Sequence, residues 1–386
     1  MAQRTCPDTR WAWVEIDQGA LRRNVRAVKG VVGNRTRLMA VVKADAYGHG
    51  AVQCAKVMRA AGADQFAVAT VDEAVALREG GVESPIMVLS EPPLEAVETL
   101  VAYDLRPAVD TAPFALAFGE CAAAHGTVGR YHLAVETGMN RIGVPWQDVV
   151  EFRSQLDFHR GLECAGTFTH FATADAVEDW DFDLQLDHFR KAVDALRAAG
   201  LETGLVHCDN TPGTVLHPEA HFDMVRVGLG LYGLQPCEAT VPRIGLEPVM
   251  SVRARVVRTS EPEIGEGVGY GMTYRVPSRT IQIATVPIGY ADGLSRTLSG
   301  RMSVLIDGQR CRQVGNICMD AFMVAVDVNT IRGIDPAHPV AYGDVVTVVG
   351  RDGSREITLD DMARLRGTIS YEVACGFGMR LEKVYV

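Results

Sequence analysis

Eight short apolar runs, separated mostly by stretches with helical spacing, fill the first two-thirds of this 386-residue chain and narrow its possible folds sharply. They are Leu38–Val42, Phe66–Ala69, Ile86–Leu89, Arg106–Val109, Tyr131–Val135, Glu163–Phe168, Thr203–His207 and Asp223–Val227. Between them, Val71–Glu79 and Phe182–Ala199 carry apolar residues three and four apart. In the second of these, Leu184, His188, Ala192, Ala195 and Ala199 fall near one face. Strands alternating with helices imply a parallel sheet. Eight of them, uninterrupted by a Gly-rich dinucleotide fingerprint, predict a closed (β/α)8 barrel rather than an open doubly wound sheet.

From about Leu246 the rhythm changes to β-branched runs between Gly, Pro and Asp turns: Ser251–Arg258, Ile281–Val286, Ser303–Ile306, Met323–Val326 and Val345–Val349. Asp307-Gly308 reads as a hairpin turn, because both positions need positive φ. The expected organisation is a barrel over 17–245 and a β domain over 246–386, joined by an N-terminal strand over 11–16. The net charge of −10 argues against nucleic acid as a partner. No apolar run is long enough to span a membrane. The nine cysteines include no C-x-x-C pair, and the first ten residues lack an apolar signal core. Both point to reduced thiols and a cytoplasmic protein.

In a barrel, chemistry gathers at the C-terminal ends of the strands. Those ends carry Lys43, His170, His207 and Arg226, with Arg141 a short loop after the fifth strand. A lysine in a dry barrel mouth can form a Schiff base with an aldehyde, or it can simply snorkel to solvent. Gly228 allows close backbone approach to a phosphate, with Thr211 a hydroxyl donor, or it is only a turn residue. His217 and His221 lie four apart but outside an H-E-x-x-H frame, and read as surface histidines. No metal ligand set is expected. The glycine-dense Gly265–Gly271 leads into strands, so it reads as a loop.

Eight segments, in order, resemble alanine racemase, a pyridoxal-phosphate enzyme family with an N-terminal (β/α)8 barrel and a C-terminal β domain. They are VVKADAYGHG (41–50), ETGMNRIGV (136–144), FTHFATAD (168–175), RVGLGLYG (226–233), VGYGMTY (268–274), PIGYADG (287–293), NICMDAFMV (316–324) and ISYEV (369–373). The resemblance implies that Lys43 holds pyridoxal phosphate as a Schiff base. It implies that Tyr47, Thr211, Gly228, Leu229 and Tyr371 hold its phosphate. Arg226 would face the pyridine nitrogen, with His207 behind it and His170 in the same polar layer. Arg141 and the Met319 backbone would receive the substrate carboxylate. Tyr270 would be the second catalytic base, opposite Lys43. Tyr274, Tyr290 and Asp320 would line the access path or stand just behind it. Tyr270 and Met319 would come from a partner subunit, making a homodimer with shared sites.

The chain also departs from the family pattern. The usual lysine seven residues before Arg141, which becomes carbamylated, is Ala134; a serine before the catalytic tyrosine is Gly269. Something other than that lysine should therefore face Arg141: an anion, water, or a carboxylate such as Glu136. The leading expectation is interconversion of L- and D-alanine. The alternatives are a racemase for serine or a cationic amino acid, and a pyridoxal-phosphate-binding protein without turnover.

Overall fold

Eight parallel strands, Arg37–Val41, Gln65–Val68, Ile86–Val88, Leu105–Val109, Gly129–Glu136, Leu162–Phe168, Leu205–His207 and Met224–Val227, form the N-terminal sheet. They belong to a computed structural model that describes residues 10–176, 180–327, 340–378 and 380–386. Each strand pairs with the next as far as Leu205–His207, and Met224–Val227 pairs with Arg37–Val41. Across the remaining gap Asp223 N donates to Val206 O and Arg226 N to Asp209 O, both at 3.0 Å. The result is the expected (β/α)8 barrel, nearly closed. Its strands are buried on both faces, as parallel strands must be; Gln65–Val68, Ile86–Val88 and Met224–Val227 are buried throughout. Each fully buried Val, Leu or Phe contributes about 1.5–3 kcal/mol.

The helix Val71–Glu79 starts at Thr70, whose hydroxyl accepts from Glu73 N while the Glu73 carboxylate accepts from Thr70 N. This reciprocal cap satisfies amides that a helix start leaves orphaned. The helix Trp180–Ala198 corrects one expectation. Its buried face is Phe182, Leu186, Phe189, Ala192, Val193 and Leu196. Leu184 and Ala195 point to solvent instead, because the Phe182–Leu196 stripe removes more apolar area from water. His217 and His221 are likewise half-buried rather than superficial. The ring of His217 stacks on Phe182, and His221 Nε2 meets Thr214 O at 2.9 Å.

The backbone divides into two compact units: Ala20–Ala46 with Gly50–Glu247, and the chain up to Gly19 with Tyr47–His49 and Pro248–Val386. The second unit is built on one large sheet. Its path runs Arg258–Ser260, Ile281–Val286, Phe322–Asp327, Gln309–Val314, Ser303–Ile306, Val345–Asp352, Met250–Arg255, Ala12–Ile16, Glu382–Tyr385. All pairs on this path are antiparallel except the last. Burial alternates along Met250–Arg255 and Phe322–Asp327, the pattern of a sheet with one dry face. Asp307 and Gly308 take φ of 49° and 68°, the turn their dipeptide predicts.

Candidate active site

Lys43 follows the strand Arg37–Val41, and the backbone then does something unusual. Ala44, Asp45, Ala46 and Tyr47 all have φ between 51° and 56°. This is a left-handed turn without glycine, at roughly 1–2 kcal/mol per residue. Specific bonds hold it. Ala44 N donates to Glu73 Oε1 at 2.7 Å, Ala46 N to Val42 O at 2.9 Å, and Ala51 N to Asp45 Oδ1 at 2.7 Å.

Arg226 is buried on the last strand and its guanidinium is surrounded by acceptors. Nη1 donates to His207 Nδ1 at 2.9 Å and His207 O at 3.1 Å. Nη2 donates to Thr169 O at 2.7 Å, Cys208 O at 3.0 Å and His170 Nδ1 at 3.1 Å. An arginine can only donate, so both imidazoles present a lone pair at Nδ1. His207 Nε2–H then donates to His132 Nδ1 at 2.9 Å. Burial first, and then the neighbouring cations, keep these rings neutral. His207 lies well below its ordinary value, and His132 and His170 are both pushed down to about 3. Burial draws Arg226 down to about 10, which leaves it charged at neutral pH. Phe168 stacks on His207 with centroids 5.3 Å apart and lies beneath the guanidinium. Sequence reasoning missed His132, Phe168 and Thr169; a histidine inside the otherwise apolar YHLAV was the available signal.

The hydroxyl of Thr211 accepts from Gly228 N at 3.3 Å and Gly230 N at 3.5 Å. A Cβ on Gly230 would come within 2.8 Å of the Thr211 methyl, so glycine is what lets these amides converge. Leu229 is buried at the start of the following turn, Leu229–Tyr232. Ala134, Arg141 and His170 line one small cavity with space for about 10 Å³, roughly one water. Glu136 does not pair with the Arg141 guanidinium. Its carboxylate instead accepts the backbone N–H of Arg141 at 3.2 Å and that of Gly138. Among the described residues no carboxylate forms an ion pair with Arg141.

In the C-terminal unit, Tyr270 sits on a turn between Gly269 and Gly271, both at φ 73°, and is 74% exposed. Asn316 Nδ2 donates to Tyr270 O at 2.8 Å. Tyr290 N and Ala291 N donate to Cys318 O and Met319 O at 3.0 Å each. This ties PIGYADG to NICMD and leaves the Tyr290 and Met319 side chains exposed. Asp320 pairs with Arg380, and the buried Asp292 takes both nitrogens of Arg10 at 2.7 and 2.8 Å. Tyr274 packs on a core cluster of Val268, Val276, Ile281, Ile283 and Val314. Tyr47 is buried and lies ring to ring with Tyr371, centroids 6.2 Å apart; burial raises its hydroxyl pKa.

Comparison with known proteins identifies the family and the fold. The family model described as alanine racemase, N-terminal domain, matches residues 16–236, and the alanine racemase, C-terminal domain, matches 249–385. The alanine racemase of Synechocystis is 43% identical, covering 97% of this chain and 99% of that one. That of Symbiobacterium thermophilum is 41% identical, covering 97% and 96%. Among solved structures, alanine racemase from Bacillus anthracis with bound L-Ala-P superposes with a TM-score of 0.90 at 34% identity, covering 99% of this chain and 96% of that one. That from E. faecalis gives 0.87 at 37%, covering 99% and 100%. The chain belongs to the alanine racemase family.

Proposed function

We propose that this enzyme interconverts L- and D-alanine with pyridoxal phosphate, using Lys43 and Tyr270 as its two bases. The observation that carries the cofactor assignment is the donor set at the strand ends. Lys43 offers an amine, Thr211 with Gly228 and Gly230 offers a hydroxyl beside two amides, and Arg226 is a buried cation ringed by neutral acceptors. These groups suit an aldehyde, a phosphate and a ring nitrogen respectively. Leu229, Tyr47 and Tyr371 are assigned to the phosphate as well, His207 and His170 to the layer behind Arg226, and Arg141 with the Met319 backbone to the substrate carboxylate. Tyr274, Tyr290 and Asp320 are assigned to the access path and its support.

Racemisation removes a proton from one face of the α-carbon and returns one to the other, so two acid/base groups must flank it. Lys43 holds the proton at Nζ on one face and Tyr270 at Oη on the other. Bound pyridoxal phosphate supplies the sink for the electron pair left behind. Arg226 stays charged and donates a hydrogen bond without giving up its proton, which limits how strongly that sink pulls. The exposure of Tyr270, Met272, Met319 and Tyr290 supports a second copy of the chain covering this surface, so that the working unit is a homodimer. The described cysteines are free thiols, which supports a cytoplasmic setting, and no helix of the described residues is long and apolar enough to cross a membrane.

Relatives 43% and 41% identical over nearly the whole chain are alanine racemases, which supports alanine over a larger substrate. The test is exchange of the α-proton with deuterated solvent across a panel of D- and L-amino acids, with pyridoxal phosphate supplied. Alanine is expected to lead by at least tenfold, about 1.4 kcal/mol in the transition state. Absence of exchange with every amino acid would overturn the enzymatic reading, and a larger amino acid in the lead would overturn the substrate.

A further inference from the structure

Away from the strand ends, on the helical layer outside the barrel strands, three side chains of metal-ligand type converge. Cys121 lies in the last turn of the helix Ala112–Ala124 and His125 caps it, four residues on and so on the same face. Glu98 comes from the helix Val97–Ala102, which packs against Ala112–Ala124. One ligand atom from each residue lies within 4.8 Å of the others. The His125 Nε2–Glu98 Oε2 separation is 3.7 Å, and Cys121 Sγ stands 3.7 Å from His125 Nδ1. In a tetrahedral zinc site, bonds of about 2.0–2.3 Å put ligand atoms roughly 3.3–3.8 Å apart; the Nε2–Oε2 pair falls in that range, while Sγ lies beside the other ring nitrogen and must turn towards Nε2. Small rotations of these accessible side chains close the rest.

The orientation of the imidazole is the second observation. His125 Nδ1 lies 2.9 Å from the carbonyl oxygen of Cys121. A carbonyl can only accept, so Nδ1 carries the hydrogen, and in the neutral ring the lone pair is at Nε2, the nitrogen turned to Glu98. A backbone carbonyl fixing the tautomer from behind is the usual support of a metal-binding histidine.

We propose that Glu98, Cys121 and His125 form a surface site for a thiophilic divalent cation of the zinc class, with the fourth position left to water. Binding forms one bond each to Sγ, Nε2 and a Glu98 oxygen, and the thiol proton of Cys121 leaves to solvent while Nδ1 keeps its own. Two anionic ligands and a neutral imidazole balance the divalent charge. The cation staples the two helices together and plays no part in racemisation.

Chelator-treated full-length protein, loaded with pyridoxal phosphate, is titrated with Co²⁺. One equivalent is expected to bind with a sulfur-to-cobalt charge-transfer band, which Zn²⁺ then abolishes. Cys121→Ser should remove the band, and His125→Ala and Glu98→Gln should each weaken binding at least tenfold. In the unaltered chain, Zn²⁺ should slow alkylation of Cys121 by iodoacetamide at least tenfold, read by peptide mass. Absence of the band, its persistence in Cys121→Ser, or alkylation unaffected by Zn²⁺ would each overturn the site and leave a simple His125–Glu98 ion pair.

Discussion

The buried chain from Arg226 through His207 to His132 makes folding stability depend on pH in a calculable direction. Arg226 donates to His207, and His207 donates to His132, so neither ring can take a second proton without breaking the chain. Arg106 and Arg226 press further on His132, whose pKa falls from 6.5 to about 3, with burial the largest cause. In the unfolded chain the same ring protonates near 6.5, so below that pH the unfolded state binds more protons and is favoured. Above 6.5 the effect is nil. Below it, the native state loses about 1.4 kcal/mol per pH unit until the folded pKa is reached. Between about pH 7.5 and about pH 5 this amounts to ~2 kcal/mol from His132 alone, with His207 acting in the same direction. Urea unfolding of wild type and His132→Asn at both pH values isolates it. Asparagine can still accept from His207, and the carboxylates common to both proteins cancel in the comparison. Wild type should lose about 2 kcal/mol more than the variant on acidification. Equal losses, within about 0.5 kcal/mol, would refute a neutral buried His132.

Three further outcomes follow, the first from the proposed homodimer and the other two from geometry. Mixing inactive Tyr270→Phe subunits with inactive Lys43→Ala subunits should restore part of the activity, because each mixed dimer regains one complete site; no recovery despite demonstrated exchange of subunits would reject a shared site. Thr211→Val removes the hydroxyl that meets Gly228 N and Gly230 N; cofactor affinity, read from the visible absorption during dialysis, should fall about tenfold, roughly 1.4 kcal/mol. Gly293→Ala and Gly300→Ala both place a side chain at positive φ, 103° and 70°, but only the first meets an obstacle, the carbonyl oxygen of Gly376 at 1.9 Å. In thermal unfolding Gly300→Ala should cost about 1 kcal/mol and Gly293→Ala at least about twice that.

The barrel was legible because parallel strands buried on both faces are continuous apolar runs, and a run of Val, Ala and Met admits few other homes. Lys43, His170, His207 and Arg226 were legible by position, each at or near a strand's C-terminal end. His132 was not, because its partner His207 lies two strands away in the sheet and 75 residues along the chain. No local spacing encodes such a pair. The face of Trp180–Ala198 was misread because Leu184, His188 and Ala192 also follow helical spacing, and only the bulk of Phe182, Phe189 and Leu196 decides between the two stripes. Glu382–Tyr385 is too short and too polar to announce itself; it is a strand because Ala12–Ile16 offers it a parallel edge. The Glu98–Cys121–His125 cluster has no signature in the sequence, because a cysteine and a histidine one turn apart are not a metal motif by themselves and Glu98 comes from a separate helix.

Nothing in Ala44-Asp45-Ala46-Tyr47 foretells a reversed helical sense, since alanine favours the ordinary one. The reversal bears on turnover. In the proposed reaction the Lys43 amine would both hold the cofactor and move a proton at the substrate, so its tip must travel while its root stays put. A right-handed or glycine-bearing segment could follow the tip by sliding between neighbouring conformations. A left-handed turn of non-glycine residues sits above its neighbouring wells and is held there by its bonds, Ala44 N to Glu73, Ala46 N to Val42 and Ala51 N to the Asp45 carboxylate, so a departure must break one or more of them. The backbone thus acts as a fixed pivot, and the swing is confined to the four methylenes of a single side chain.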